Sequence, residues 1–296
     1  MSRVVVVGDV LADISVHLQR PIAEDSDTPA AITLHPGGSA ANLAAWLVTL
    51  GTESTVVGAI GDDRLGRIQA DELERVGVRT RLTVLPDAAT GVVVALVAAD
   101  GRRSLVTSRG AAGRLVPEHL PEALFRRGAH LHLSGYVLLD PATRAAGLAA
   151  LRLARRAGMT VSVDPSSSEP LRLVGPIAFR TWTRGVDVLL PNWDEGRVLT
   201  GLEDPDAIGA ALARTHLEVV MTLGPKGVLW VGPDGSHRAA ALPTPVVDTT
   251  GAGDAFAGGW LAGWLAGQRG AAPLHRGLAA AALCVAHVGA RPAGAR

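Results

Sequence analysis

One cysteine, one lysine and one tyrosine stand in a chain of 296 residues, and aromatic side chains make up only 3% of it. The lone cysteine, Cys284, cannot close an internal disulfide, which fits a reducing compartment. With so few rings, the core has to be built from Ala, Val and Leu. Net charge is also missing, because 28 basic and 28 acidic residues cancel. The arginine pairs Arg102-Arg103, Arg126-Arg127 and Arg155-Arg156 are scattered instead of forming a basic face, so nucleic-acid binding is excluded as the main task. Long apolar runs are absent as well. No stretch approaches the roughly 18 uninterrupted apolar residues of a membrane helix. The run Val4 to Val7 is too short for a signal-peptide core and is followed at once by Gly8-Asp9. These absences predict a soluble, cytoplasmic protein with neither nucleic acid nor membrane as partner. Global disorder is excluded by 48% hydrophobic residues and only 19% charged ones in balance.

What is present is an alternation of short β-rich runs with longer Ala/Leu segments, the pattern of a parallel sheet covered by helices. Val4 to Val7, Ser54 to Ile60, Leu131 to Ser134, Thr160 to Asp164, Val186 to Leu190 and Val219 to Leu223 read as strands, each of the last four preceded by a helical stretch. Ser39 to Leu50 reads as a helix ended by Gly51, and Arg64 to Val76 as one capped by Asp62-Asp63. Gly91 to Ala99 and Arg103 to Thr107, separated by Asp100-Gly101, form a hairpin signal. With Ile14 to Leu18 and Ile32 to His35 that hairpin suggests a small antiparallel sheet. A second hairpin turns at Pro233-Asp234-Gly235, and beyond Gly251 the chain is almost wholly helical.

The segment Asp248-Thr249-Thr250-Gly251-Ala252-Gly253-Asp254-Ala255-Phe256-Ala257-Gly258-Gly259 carries most of the chemistry. Two glycines stand where a loop becomes a helix, so free N–H groups and the positive helix end converge on an anion hole. A carboxylate at Asp254 conflicts with a bound phosphate unless it accepts a proton from the hydroxyl attacking that phosphate. Taken alone, the same residues read as a tight turn and a helix cap. No P-loop is present, and Gly8-Asp9 opens no dinucleotide fingerprint. Gly37-Gly38-Ser39-Ala40-Ala41-Asn42 forms a second glycine-led helix start where a polyhydroxyl ligand could approach the backbone, with Asn42 and Asp13 as hydroxyl partners. Asn192 and Glu195 lie one turn apart after a strand, which fits either a capping box or an oxygen site for hydrated magnesium. His130 and His132 share a strand face, and without a third ligand they read as packed side chains.

Together these motifs resemble the ribokinase-like, PfkB-type family of carbohydrate and nucleoside kinases, in family order from about residue 4 to residue 290. Asp248 to Gly259 is similar to its C-terminal signature, Gly37 to Asn42 to its N-terminal glycine motif and Asn192 to Glu195 to its Asn-x-x-Glu motif. Thr222-Leu223-Gly224-Pro225-Lys226-Gly227 resembles its nucleotide loop, and Gly61-Asp62-Asp63 with Gly66 is similar to a further family segment. The resemblance implies an α/β fold: a three-layer α/β/α sandwich with a mostly parallel central sheet, a single domain over 1–296, and a small β-sheet lid from segments near 13–36 and 79–108. It implies an ATP-dependent sugar kinase in which Asp254 is the catalytic base and Gly251, Ala252 and Gly253 complete the anion hole. Asp13, Gly37, Gly38 and Asn42 would hold the sugar, with Arg109 beside them. Thr222, Gly224, Lys226 and Gly227 would line the ATP site, with His287 near the adenine. Asn192 and Glu195 would organise Mg2+ through water. Backbone near Asp248 and Thr250 would hold K+, although Ala293 stands where some ribokinases have a serine ligand. A nucleoside kinase of the same fold, a catalytically silent sugar-binding regulatory protein, and a homodimer through the lid are the other expectations.

Overall fold

In the computed structural model, which describes residues 3–98 and 103–292, the four β-branched residues of β1 (Val4–Val7) are buried on both faces of a large sheet. Strands and helices are numbered in chain order. The sheet runs β13 (Gly235–Ala239), β12 (Val228–Gly232), β11 (Glu218–Thr222), β10 (Val188–Leu189), β9 (Thr160–Asp164), β8 (His130–Ser134), β1, β4 (Ser54–Gly61) and β5 (Arg79–Leu85). From β11 to β5 every pairing is parallel, and β12 and β13 add an antiparallel edge. Strand alternation splits β1 between two cores. Val5 and Val7 join one core, which includes Leu151 of α4 (Arg144–Ala157), Leu199 of α7 (Trp193–Thr200) and Leu212 of α8 (Pro205–Ala213). Val4 and Val6 join the other, which includes Leu43 of α1 (Ser39–Thr49), Leu73 of α2 (Arg64–Arg75), Trp260 of α9 (Ala252–Leu265) and Leu278 of α10 (Ala271–Val285). The result is the expected three-layer sandwich.

The four remaining strands form a small sheet, in the order β3 (Ala30–Gly37), β2 (Leu11–Leu18), β6 (Val92–Val97) and β7 (Arg103–Ser108), mixed instead of wholly antiparallel because β2 and β6 run parallel. Its register separates two faces. Leu34, Ile14, Val94 and Val106 align in one row and Ile32, Val16 and Leu96 in the next, giving an apolar face on which Ile32, Leu34 and Val106 are exposed. The opposite face carries Asp13, Ser15, Val93, Ala95 and Thr107 toward the cavity described below.

Three further expectations change. The second lid segment does not begin at residue 79: Arg79–Leu85 pairs along β4 in the large sheet, and only β6 and β7 join the small one. The strand expected over Val186 to Leu190 shrinks to β10, two residues long. The chain before β8 makes three short 3-10 turns, Gly110–Arg114, Pro117–His119 and Glu122–Leu124, instead of an α-helix, because prolines 117 and 121 cannot donate to a helical ladder. The Asp100-Gly101 turn and Ala293 lie outside the described residues.

Candidate active site

A cavity of ≈ 720 Å³ opens between the small sheet and the carboxyl ends of β1, β9, β10 and β11, where an open α/β sheet binds its ligands. Its floor is the start of α9. Gly251 caps that helix with φ 75°, a left-handed conformation, and a Cβ there would collide with Ala290. At Gly253 a Cβ would meet nothing within 4 Å, so this glycine leaves room open to the cavity. Gly251, Ala252, Gly253 and Asp254 all line the cavity; amides in a first helical turn lack intrahelical acceptors, although the Ala252 N–H donates to the Thr249 carbonyl at 3.3 Å. The Asp254 carboxylate accepts hydrogen bonds from Ser39 Oγ at 2.8 Å and Asn42 Nδ2 at 3.0 Å. Burial pushes its pKa up to about 6, and those two hydrogen bonds oppose the rise.

At this end of the cavity the expected sugar residues converge. Gly38, with φ 93°, starts α1 against the carbonyl of Asp9 and lets Ser39 and Asn42 reach Asp254. Asp13 faces the cavity from β2, and its carboxylate fills the space where a Gly37 side chain would stand. Gly37 is behind this surface and does not line the cavity. Arg109, one residue past β7, is anchored: its guanidinium donates to Asp9 Oδ1 at 2.5 Å, Asp140 Oδ2 at 2.8 Å and the Tyr136 carbonyl at 3.1 Å. It therefore ties the small sheet to the end of β1.

Asn192 and Glu195 satisfy both readings of their spacing. Asn192 Oδ1 accepts from the Glu195 N–H, while Glu195 accepts from the Asn192 N–H at 2.9 Å and Nδ2 at 2.8 Å, a complete capping box at the start of α7. Both also line the cavity. Glu195 is only 2% exposed, and burial, with Asp164 nearby, holds its pKa well above the usual carboxylate range. Asp164 is pushed up to about 7 by burial and by Asp254. Concentrated negative charge of this kind is what a divalent cation relieves, so the donor set fits hydrated magnesium.

The nucleotide expectations fare differently. Thr222 lines the cavity; Gly224, Lys226, Gly227 and His287 do not. Gly224–Lys226 is an exposed 3-10 turn, with the Lys226 ammonium 5.0 Å from the centre of the Trp193 ring. Gly227, with φ 97°, packs against β13, and the His287 ring bonds to the carbonyls of Leu283 and Arg291. The monovalent-cation expectation meets occupied groups. Asp248 accepts from Thr250 N and Oγ1 and from Gly289 N, the Thr250 carbonyl accepts from the Cys284 thiol at 3.3 Å, and the Ala290 carbonyl accepts from Trp46 Nε1 at 3.0 Å. The Asp248 bonds are to its carboxylate and each carbonyl keeps a second lone pair, so these contacts leave the backbone expectation for K+ untested. His130 and His132 are buried against Thr160 and Ser162, and burial lowers both to about 3. They are neutral core side chains, and among the described residues no group of three or more His, Cys, Asp or Glu side chains could hold a metal ion.

The model of the pfkB family carbohydrate kinases matches residues 1–295. The chain belongs to the pfkB carbohydrate kinase family. It is 32% identical to an ATP-dependent ribose-1-phosphate kinase of Halopiger xanaduensis, over 99% of this chain and 95% of that protein. Among solved structures, an adenosine kinase from Sinorhizobium meliloti superposes with a TM-score of 0.89 at 27% identity, covering 99% of this chain and 96% of that one. A ribokinase II from Escherichia coli in complex with ATP and Mg2+ superposes with a TM-score of 0.87 at 26% identity, covering 98% and 94%. Five further residues of this PfkB kinase, absent from the sequence expectations for the site, line the same cavity: Asp9, Ser39, Tyr136, Asp140 and Asp164. The available signal for Asp9 and Asp164 was position, since one follows β1 and the other ends β9 at the ligand-binding edge of the sheet. Asp140, 31 residues from Arg109, carried no local signal.

Proposed function

We propose that this kinase transfers the γ-phosphate of ATP to a hydroxyl, most simply a primary one, of a small sugar. The observation that carries the reading is the Asp254 carboxylate at the foot of α9, held by Ser39 and Asn42 on the cavity floor. Asp254 takes the hydroxyl proton as the new phosphorus–oxygen bond forms and the bond to the ADP oxygen breaks. A pKa of about 6 leaves it ionised at neutral pH yet basic enough for that step. The N–H groups of Gly251 to Asp254 meet the charge developing on the phosphoryl oxygens. Asp13, Gly38 and Asn42 orient the sugar, with Gly37 setting the approach of β3, and the small sheet excludes water. Asn192 and Glu195 would hold Mg2+ through water, and the bound ion supplies neutralisation of phosphate charge. Thr222 would contact the nucleotide directly; Gly224, Lys226, Gly227 and His287 contribute only if the segments carrying them move toward it. K+ on the backbone near Asp248 and Thr250 would add to this reading, and a coupled assay run with and without K+ tests it. The reducing cytoplasm, where Cys284 stays a thiol, is the compartment it carries.

Replacing Asp254 by Asn should cut turnover by about three orders of magnitude while ATP still binds; near-normal turnover would reject the base. A second reading, a nucleoside kinase, draws support from Tyr136 and Phe256 on the lining, surfaces on which a base could stack, and from the adenosine kinase neighbour. A coupled assay over ribose, fructose, ketodeoxygluconate, ribose 1-phosphate and adenosine separates the classes, and binding without turnover for all of them would mark a silent sugar binder. Among the described residues Arg109 is the one cation on the lining, so a phosphorylated acceptor would have to compete with Asp9 and Asp140 for it. The apolar outer face of the small sheet suits a second copy of itself. Ile32→Asp should convert such a dimer to monomer in analytical ultracentrifugation, and a wild-type protein that is monomeric at micromolar concentration would end that proposal.

A further inference from the structure

Arg291 was not among the expected site residues and does not line the cavity, yet its guanidinium is packed against the back of the catalytic floor. Nε donates to Asn42 Oδ1 at 3.3 Å, and Nη2 donates to the Gly37 carbonyl at 3.0 Å and to Gln69 Oε1 at 3.3 Å. Nη1 is buried with no hydrogen-bond partner among the described residues. A buried cation with an unsatisfied donor is costly, so its retention needs a compensating use. Arginine can only donate. Whichever atom of the Asn42 amide faces it must be the oxygen, which turns Nδ2 toward Asp254 Oδ2, 3.0 Å away. An amide torsion is close to two-fold, and no other hydrogen bond to the Asn42 side chain distinguishes its two ends.

We infer that Arg291 is a positioning residue for the catalytic carboxylate: by holding Asn42 Oδ1 it keeps Nδ2 donating to Asp254, and it links the segment after α10 to the Gly37 root of the small sheet. The inference rests on the reading of Asp254 as the base. Around Asp254 the other titratable groups are Asp164, the Tyr136 phenol and the Cys284 thiol; around Arg291 they are Asp13 and Glu72. Without Arg291 the amide is free to turn its oxygen to the carboxylate, which disfavours the ionised form.

The test is the pH dependence of kcat/KM in Arg291→Met, alone and in an Asn42→Ala background, with thermal melting as the control for folding. The acid limb should move up by about one unit, so that activity measured below it falls about tenfold while the high-pH plateau changes far less. In the Asn42→Ala background Arg291→Met should leave the limb where Asn42→Ala alone puts it. A limb that stays put in folded Arg291→Met, or that shifts equally in both backgrounds, overturns the inference. If Arg291→Met does not fold, Arg291→Gln, too short to reach Asn42, carries the same expectations. Asp254→Asn separates the two ideas: if it stays active the base is wrong, whereas if it is dead and the Arg291 limb is unmoved only the positioning role fails.

Discussion

At the end of the cavity where α1 and α9 begin, polar groups have fixed partners: Asp254 is held by Ser39 and Asn42, and Arg109 spans Asp9 and Asp140. At the other end, past β11, Thr222 stands on the lining but the next turn, Gly224–Lys226, is exposed and the His287 ring is bonded to backbone carbonyls. In the proposed reading the first is the hydroxyl-transfer end, whose polar groups are already paired with one another. The second would be the nucleotide end, where the turn after Thr222 lies off the lining. Preorganised charges act in the transition state without reorganisation, whereas an open loop contributes chiefly to affinity.

Substitutions at the two ends should therefore differ in size and in kind. The largest effect is that of Asp254→Asn, about a thousandfold in kcat. If Asp254 is the base, as proposed, its ionised form is needed, so kcat/KM should be full above the limb near pH 6 and fall about tenfold per unit below it. Glu195→Gln comes next. It loses the charge and one of the two oxygens that accept from Asn192, and should raise the magnesium concentration for half-maximal rate by about 10–100-fold, read from a metal titration. Asp164→Asn tests the cost of charge crowding. Asp164 has a folded pKa of about 7 against an ordinary 3.8, so between those values the folded state binds more protons than the unfolded one and stability falls as pH rises. The variant should melt about 3 °C higher than wild type at pH 8 and no higher at pH 3.5, by differential scanning fluorimetry without ligand. The smallest effect is that of Lys226→Ala, under about threefold in the KM for ATP, because its exposed ammonium rests over Trp193. A hundredfold loss there would show that the open end closes on its ligand and would erase the contrast.

How much of this was legible in the sequence follows the range of each interaction. The glycine-led helix starts at Gly37-Gly38 and Gly251 to Gly253, the Asn192 to Glu195 box and the βαβ alternation are set by residues within a few positions of one another, and they appear where expected. Arg79–Leu85 has the local pattern of a strand whichever sheet it enters; its place beside β4 is decided by tertiary packing. Arg109 looked like one arginine among 27, and only the fold brings Asp9, 100 positions away, against it. Arg291 and Asn42 are 249 positions apart and equally silent in sequence. Lys226 drew notice through its rarity, a property of composition that says nothing about where its side chain points.

That rarity has a practical side. Lys226 carries the chain's one side-chain amine, it is exposed, and the single thiol, Cys284, is buried. At a pH where the terminal amine has been blocked, an amine-selective dye would attach to a unique position beside the Trp193 indole, a natural quencher. The labelled protein would report, as a change in emission, whether the 224–227 turn moves when a nucleotide arrives.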